Sequence, residues 1–415
     1  MSAPTEGILA GIRVIEGSAF VAAPLGGMTL AQMGADVIRF DQIGGGLDYR
    51  RWPVTESGQS LFWAGMNKGK RSIQLDLRSD EGRELVTALV TAPGPDAGMF
   101  LTNFPARGWL AYDRLRERRN DLVMVALSGN HDGSSEVDYT VNPATGFPMV
   151  TGPKDLIEPV NHVLPAWDIA LGTLAATGLL AAERHRTRTG AGQLVRASLS
   201  DVAFAMVGNL GRLAQAATAN NGPKAMRDGN NLYGAFGTSF RTSDSRHIMV
   251  VALTPRQWSA LKKTTGLETA FEEIERETGH DLNTESGRFL ARESIEACLK
   301  PWFSRHSLAE AAVLLEEGDA AWGPYQSFEQ LLADRRLSSE NPMFSNVEHP
   351  GVGTYPMPAS PLSFEATGRV PANRAPLLGE HTGQILAEVL GLSSREIGRL
   401  HDRGVVAGAD SGEPL

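Results

Sequence analysis

One aspartate lies where the sequence changes from an irregular segment to a long apolar helical pattern. The segment His162–Asp168 contains Pro165 and Trp167 and ends on this residue, Asp168. Aspartate is a favoured helix N-cap, because its side chain accepts hydrogen bonds from the first free N–H groups, and the pattern alone favours that structural role. The same carboxylate could instead be a nucleophile that forms an acyl intermediate, with helix N-terminal amides stabilising the developing charge. The residue pattern leaves both roles open.

Basic residues form a second candidate site. The segment Asn67–Arg71 places three cations within five residues, which suits phosphate recognition. A solvated basic turn is the more common role of such a cluster. Arg39, Arg78 and Arg107 lie near predicted strand ends, where open α/β sheets bind ligands. The sequence therefore allows a local anion site without requiring one.

Other chemistries receive little support. His131 and His162 are candidate general bases, but the chain has no HExxH zinc pattern and no Gly-x-Ser-x-Gly elbow. The turn Gly17–Pro24 lacks the glycine spacing that brings a pyrophosphate to a helix N-terminus. NAD binding is therefore disfavoured, although Asp41 ends the second predicted strand. The glycines of 228–240 are typical of a mobile lid or of an ordinary connection.

The elements that must position these residues alternate between strand and helix in the first half of the chain. This alternation predicts parallel βαβ units and a Rossmann-like, doubly wound α/β sheet. The predicted strands are 11–15, 35–40, 99–102, 122–128 and 193–200, and the predicted helices are 24–33, 81–90, 109–118, 168–188 and 201–217. A strand at 247–253 with helices at 255–264, 287–303 and 308–316 predicts a smaller α+β domain, and closing helices are predicted at 380–390 and 394–402.

Length and composition limit the function classes. The chain has 415 residues and a net charge of −9, which argues against an extended nucleic-acid surface. The single cysteine, Cys298, excludes an internal disulfide, fits a cytoplasmic protein and is expected to be buried. Neither a membrane span nor a secretory signal at the N-terminus is expected. A polar linker at 218–229 predicts a domain boundary near residue 225.

A set of motifs, in order along the chain, resembles the class III CoA-transferase family (CaiB/BaiF type). The motifs are Leu9–Glu16, Met33–Ile38, Lys70–Asp76, Thr102–Phe104, Leu127–Gly129, Thr189–Gln193 and Arg374–Thr382. The resemblance extends over nearly the whole chain. It implies a Rossmann-like, CoA-binding large domain of 1–220 with 325–415, a smaller α+β domain of 226–324 and an interlocked homodimer.

The resemblance also implies roles for individual residues. It implies that Asp168 is the catalytic aspartate, which reverses the preference for a helix cap. No separate cofactor and no metal are implied, because CoA is part of the substrate. The positions that match the family's CoA-binding residues are Val21, Ala22, Leu75, Arg78, Asn103, Phe104 and Tyr139.

Three departures narrow the resemblance within the family. Formyl-CoA transferases carry a glutamine where this chain has Val21 and an arginine where it has Gln42. Racemases of the same fold carry a histidine at the position of Val137, and valine cannot exchange a proton. Oxalate or formate transfer and racemisation are therefore disfavoured.

The segments 16–24, 161–168 and 341–344 resemble family members that move CoA between the two carboxyl groups of a branched C5 dicarboxylic acid. This implies conversion of mesaconyl-C1-CoA (2-methylfumaryl-CoA) into mesaconyl-C4-CoA (3-methylfumaryl-CoA) through an aspartyl-CoA thioester. Arg50 and Arg51 are candidates for holding the free dicarboxylate. An intermolecular class III CoA-transferase acting on another dicarboxylate or carboxylic acid, and a non-catalytic acyl-CoA-binding protein on the same fold, remain alternatives.

Overall fold

The computed structural model describes residues 7–218 and 225–409. Part of the predicted linker, 219–224, and the first six residues, which the signal prediction concerned, lie outside the described residues. The strands are β1 Arg13–Gly17, β2 Asp36–Gln42, β3 Arg71–Leu75, β4 Met99–Thr102, β5 Val123–Ser128, β6 Leu194–Ser198, β7 Phe236–Arg241, β8 His247–Ala252, β9 Ala321–Pro324, β10 Phe344–His349, β11 Gly353–Pro358 and β12 Val406–Ala407.

Helices fill most of the connections between these strands. They are α1 Ala22–Ala31, α2 Leu61–Met66, α3 Asp80–Val90, α4 Tyr112–Arg118, α5 Asp138–Ala144, α6 Phe147–Val150, α7 Ala166–Thr189, α8 Leu199–Asn209, α9 Arg212–Ala217, α10 Pro255–Thr265, α11 Glu268–Thr278, α12 Glu285–Leu290, α13 Arg292–Arg305, α14 Leu308–Glu317, α15 Phe328–Leu331, α16 Thr382–Leu390 and α17 Ser394–Asp402. Two short 3-10 helices occupy Gly108–Leu110 and Arg335–Leu337.

The large sheet has seven strands in the order β12-β3-β2-β1-β4-β5-β6. All of its pairs are parallel except β12 with β3, which is antiparallel. The chain therefore builds outward from β1 in one direction and from β4 in the other, as in doubly wound folds. This confirms the predicted α/β class with a large, mainly parallel sheet.

The residues of the sheet explain why it is covered on both faces. Every residue of β4 is buried, and β5 begins with three buried residues, Val123, Met124 and Val125. Continuous apolar strands of this kind need helices on both sides, in contrast to the alternating pattern of a half-exposed sheet. One core cluster accordingly joins strand residues such as Ile15 and Phe100 to helix residues such as Val86 and Ile385.

Contacts within the chain divide the described residues into two compact units. The larger lies within Met1–Thr145, His162–Ala214 and Arg335–Leu415, and the smaller within Gly146–Asn161 and Gln215–Asp334. The smaller unit has its own core around Phe236, Trp258 and Phe303, and an antiparallel sheet in the order β7-β8-β9. It includes Gly146–Asn161 and reaches Asp334, beyond the predicted range of 226–324.

Some local predictions were wrong. The predicted helix 201–217 is interrupted at Leu210 and Gly211, where Gly211 has a φ of 75°, and the predicted helix 287–303 is divided at Ala291. Cys298 is only half-buried, against the expectation of a buried thiol. Of the helices that the structure describes, none is long and apolar enough to cross a membrane.

Candidate active site

The carboxyl ends of β1 and β4 form the point at which the strand order reverses. Gly17 pairs with Thr102 in the last register position, and the Thr102 hydroxyl donates to the Gly17 carbonyl at 2.7 Å. A Cβ at Gly17 would lie 2.4 Å from the Phe40 ring, so the close approach requires glycine. In open α/β sheets this crevice is the usual place for a ligand.

Asn103 fixes the turn that leaves β1. Its side-chain oxygen accepts the Ala19 N–H at 2.9 Å, and its side-chain nitrogen donates to the Ala19 carbonyl at 2.7 Å. The next residue, Phe20, has a φ of 66°, and its N–H donates to Asp48 at 3.2 Å. Two N–H groups that a pyrophosphate would use are thus already bonded to protein side chains.

A buried polar network supports this turn from below. Arg39 is completely buried and donates to Asp48 at 2.8 Å, to the Ser18 carbonyl at 3.0 Å and to Asp41 at 3.0 Å. The carboxylates of Asp41 and Asp48 hold the pKa of Arg39 above its usual value despite its burial. This arginine positions the turn and offers no surface to a ligand.

Two residues of the basic cluster Asn67–Arg71, Asn67 and Lys70, belong to the same network, and the cluster is neither a solvated turn nor an open phosphate site. Lys70 is buried, and its ammonium group donates to Glu16 at 2.8 Å and to the Asn67 side chain at 3.0 Å. Arg71 bonds to Asp36 at 2.6 Å, and Lys68 is buried against the Gly65 carbonyl. Burial lowers the pKa of Lys68 and of Lys70 to about 8.

Close packing of α1 on α7 places Asp168 beside the β1–α1 turn. A Cβ at Gly172 would lie 2.6 Å from the Ala22 carbonyl oxygen, and a Cβ at Gly26 would lie 3.1 Å from the Gly172 carbonyl oxygen. Only small residues allow two helices to approach so closely. Gly172 lies against Ala22 at the start of α1, and Asp168 precedes Gly172 by about one helical turn, so it lies about 6 Å before that level, towards the β1–α1 turn.

The N-terminus of α7 is capped from outside the helix. The helix begins at Ala166, so Asp168 is its third residue, and the predicted N-cap role is wrong. The buried carboxylate of Asp138, at the start of α5, accepts the N–H groups of Trp167 at 2.8 Å and of Asp168 at 3.0 Å. One turn further along α5, Asn142 accepts the Trp167 indole N–H at 3.1 Å.

The Asp168 carboxylate is left in an unusual electrostatic setting. Burial, together with the nearby Asp138 carboxylate, raises the pKa of Asp168 to about 7, and Arg51 opposes this rise. Among the described residues, no side chain or amide donates a hydrogen bond to this carboxylate. At neutral pH a substantial fraction is therefore ionised and has its lone pairs free.

The two adjacent arginines, Arg50 and Arg51, were equal candidates in the sequence but have different surroundings in the structure. The guanidinium of Arg51 lies over the Phe20 ring at 5.3 Å and over the Phe62 ring at 5.1 Å. Its positive charge lowers the pKa of Asp168. Such aromatic contacts orient a guanidinium without using its N–H donors. Both arginines are exposed, but Arg50 makes neither aromatic contact.

The remaining predicted CoA-binding positions do not all lie together. Val21 and Ala22 begin α1, and Asn103 and Phe104 follow β4, so all four lie at the edge where the strand order reverses. Tyr139 is half-exposed next to Asp138, and its hydroxyl donates to the Val163 carbonyl at 3.1 Å.

The other two positions differ from each other. Arg78 follows β3 with an exposed side chain, 3.4 Å from Asp76. Leu75 has no exposed surface and packs in the core, so its side chain offers nothing to a ligand in this structure.

Two residues of this site are absent from the sequence-based predictions, Asp138 and Asp48. The sequence carries a weak signal for the first, because Asp138 and Asn142 are spaced by one turn at the start of a short helix. No local pattern marks Asp48, which acts through a contact with Phe20.

The predicted histidines do not engage Asp168. His131 contacts the Asn130 side chain, and His162 contacts the Leu164 carbonyl. Within 7–218 and 225–409, no group of three or more acidic, His or Cys side chains is arranged to hold a metal ion.

Comparison with known proteins defines the class. The chain belongs to CoA-transferase family III, whose sequence profile matches residues 9–382. It is 58% identical to the 2-methylfumaryl-CoA isomerase of Chloroflexus aurantiacus, over 98% of this chain and 99% of that protein. It is 30% identical to the succinyl-CoA:mesaconate CoA-transferase of Haloarcula hispanica, over 92% of this chain and 96% of that protein.

A solved structure agrees with this assignment. The crystal structure of a CaiB/BaiF family protein from Brucella suis is 25% identical, covers 92% of this chain and all of its own, and superposes with a TM-score of 0.74. The predicted family is thus confirmed by sequence and by fold.

Proposed function

We propose that this protein is a 2-methylfumaryl-CoA isomerase, which moves CoA from the C1 to the C4 carboxyl group of the same C5 dicarboxylic acid. The observation that carries the proposal is the 58% identity to the Chloroflexus aurantiacus isomerase over essentially the whole of both chains. The geometry supports it by presenting one unbonded carboxylate, that of Asp168, beside the crevice between β1 and β4.

The reaction begins at the thioester of the C1 carboxyl group. The Asp168 carboxylate attacks the C1 carbonyl carbon, the carbon–sulfur bond breaks, and a mixed anhydride and a CoA thiolate form. The thiolate then attacks the aspartyl carbonyl carbon. The anhydride bond breaks to give an aspartyl-CoA thioester and free mesaconate, which stays in the site.

The second half repeats these steps with the other end of the diacid. The C4 carboxylate attacks the aspartyl thioester, CoA leaves again as the thiolate, and the thiolate attacks the C4 acyl carbon of the new anhydride. Asp168 regains its carboxylate, and no net proton transfer, metal or redox cofactor is required by the balance. The free dianion must turn faster than it escapes, so it needs a cation that holds one carboxylate.

Arg51 is our candidate for that cation. Its contacts with the Phe20 and Phe62 rings orient the guanidinium, and its charge lowers the pKa of Asp168. Arg51→Ala is expected to raise KM for the C1 ester by about 10- to 100-fold, the loss of a hydrogen bond between charged groups. Arg50→Ala is the matched control and is expected to leave KM unchanged; equal values for the two variants would remove Arg51 from the mechanism.

We place CoA along the edge formed by Val21, Ala22, Asn103, Phe104 and Tyr139, with Arg78 near its phosphates. The strand order supports this edge, and the guanidinium of Arg78 is exposed to solvent, with its Nε 3.4 Å from Asp76 and its other N–H donors available to an anion. A homodimer and a cytoplasmic location complete the proposal. Light scattering after size exclusion tests the first of these.

The reaction is tested by supplying the C1 ester together with free mesaconate labelled with carbon-13. Unlabelled C4 ester, separated by chromatography and weighed by mass spectrometry, is the expected product. Labelled C4 ester would mean an intermolecular transferase, a second candidate favoured by the 30% identity to the Haloarcula hispanica enzyme. No C4 ester at all would refute the substrate.

The nucleophile is tested by Asp168→Asn, with hydroxylamine added to the wild-type enzyme during turnover. Loss of transfer with retained ester binding, and a hydroxamate at Asp168 in the wild type, are expected. Asp201→Asn is the matched control, because Asp201 is likewise the third residue of a helix, α8. Full activity of Asp168→Asn would refute the role.

A further inference from the structure

Asp138 contacts the first turn of α7 but has no part in the proposed steps. Its side chain is buried, with the residue 3% exposed, and it accepts the N–H groups of Trp167 and Asp168. Asn142, on the same face of α5, accepts the indole N–H of Trp167. One turn of α5 therefore holds the main chain and the side chain of the residue next to Asp168.

The physical consequence concerns the N–H groups at the start of α7. An acidic residue in the first turn of a helix ordinarily gains from these groups, because they carry partial positive charge. A carboxylate that accepts such bonds is stabilised and becomes a weaker nucleophile. Here Asp138 has taken two of the N–H groups, including that of Asp168 itself.

We propose that Asp138 is a positioning residue, which caps α7 from α5 and thereby leaves the Asp168 carboxylate unbonded and reactive. The inference rests on the proposed role of Asp168 as nucleophile, and it adds the group that sets the direction and the basicity of that nucleophile. The carboxylate of Asp138 does not touch the substrate in this scheme. It acts through the main chain of α7 and through its own charge.

Two charged groups of the described residues act on Asp168. Asp138 approaches from α5, and Arg51 approaches from the segment between β2 and α2. Asp138 adds to the effect of burial in raising the pKa of Asp168 to about 7, whereas Arg51 lowers it. Removing the charge at position 138 therefore shifts the balance towards Arg51, and the ionised form of Asp168 persists to lower pH.

The test uses Asp138→Asn, which keeps an oxygen for both N–H groups but removes the charge. The acidic limb of the kcat/KM profile for conversion of the C1 ester is expected to fall by about one pH unit. Asp138→Ala, which removes the cap as well, is expected to shift the limb at least as far and to lower the plateau of kcat by about tenfold, because the nucleophile is no longer held in place. Asp132→Asn, which removes an exposed carboxylate before α5, is the control and should leave the profile unchanged.

A direct titration separates this inference from the proposed function. The protein is labelled with carbon-13 at the side-chain carboxyl of aspartate, and NMR spectra of the wild type and of Asp168→Asn are compared to assign the Asp168 resonance. The titration midpoint of Asp168 is then measured directly, even in a protein without transferase activity. A lower midpoint in Asp138→Asn supports the inference whatever the substrate is. An unchanged titration midpoint of Asp168 in folded Asp138→Asn overturns the inference, even if the protein is an active isomerase. This outcome does not depend on whether Asp138→Ala folds.

Discussion

The close approach of α1 and α7 makes Gly172→Ala a direct test of how the fold places Asp168. A Cβ at Gly172 would lie 2.6 Å from the Ala22 carbonyl oxygen and 3.0 Å from the Leu25 Cβ. The first of these atoms is main chain, so it cannot rotate away as a side chain would. The two helices must separate, or one of them must bend.

The expected magnitude follows from two opposing terms. Overpacking of a filled interface costs about 1–3 kcal/mol. Replacing glycine by alanine inside a helix raises the free energy of unfolding by about 0.5–1 kcal/mol, because alanine loses less backbone entropy on folding. Gly172→Ala should therefore lower the free energy of unfolding by up to about 2.5 kcal/mol.

Gly178→Ala on the same helix is the matched control. The nearest atom to a Cβ at that position is a methyl carbon of Val195 at 3.5 Å, an ordinary contact. The substitution is expected to stabilise the protein by about 0.5–1 kcal/mol. The same chemical change is therefore predicted to have opposite signs at two positions of α7.

The assay is urea unfolding, followed by circular dichroism and tryptophan fluorescence, together with kcat for CoA transfer. Gly172→Ala should lose both stability and kcat, because separation of the helices moves Asp168 from the β1–α1 turn. Gly178→Ala should keep kcat. Equal stability of the two variants would refute the packing argument, and a destabilised Gly172→Ala with unchanged kcat would show that this contact does not position Asp168.

Two further predictions concern charged groups of the larger unit. Lys70→Met should lower the free energy of unfolding by about 3–5 kcal/mol, because it leaves the Glu16 carboxylate buried without its cation. Adding Glu16→Gln should recover part of this loss. Urea unfolding that shows no recovery in the double variant would contradict the pairing of Lys70 with Glu16. Arg374 lowers the pKa of Glu380 from 4.5 to about 2, so this carboxylate stabilises the folded state at neutral pH and loses its contribution as the pH falls from 4.5 towards 2. Glu380→Gln should therefore lower the thermal midpoint at pH 7, by an amount equivalent to about 1 kcal/mol or less because the pair is partly exposed. The difference from wild type should shrink as the pH approaches 2, and a difference independent of pH would exclude this pair as its source.

Much of the larger unit could be predicted from the sequence because its signals are local. β4 is recovered with its predicted bounds, 99–102, since a short apolar run between turn residues suits a strand that is buried on both faces. The short antiparallel strands β7, β9, β10, β11 and β12 were not predicted, and neither was β3 of the large sheet. β9 has no fully buried residue and pairs with β8, about seventy positions earlier, whereas β10 has one buried residue and pairs with the adjacent β11. Neither strand has the apolar run or regular alternation that marks a strand in the sequence.

The basic cluster shows where local reasoning fails. The residues of Asn67–Arg71 indicate only that cations are concentrated, and both interpretations of the pattern assumed that they face solvent. In the structure Lys70 lies against Glu16, fifty-four positions earlier in the sequence, and Arg71 lies against Asp36. Whether a cation is free to bind a ligand depends on which carboxylates the fold brings to it.

The sequence by itself determined the family, the parallel sheet and Asp168 as the candidate nucleophile, because motif order and apolar periodicity are properties of neighbouring residues. Only the tertiary structure decided that Asp138 takes the N–H groups of α7, and that Arg51 rather than Arg50 reaches Asp168. The cap comes from thirty positions away and the cation from a different loop. Hydrogen bonding, burial and charge at Asp168 depend on distances across the fold, and those distances are set by packing, such as the contact of Gly172 with Ala22.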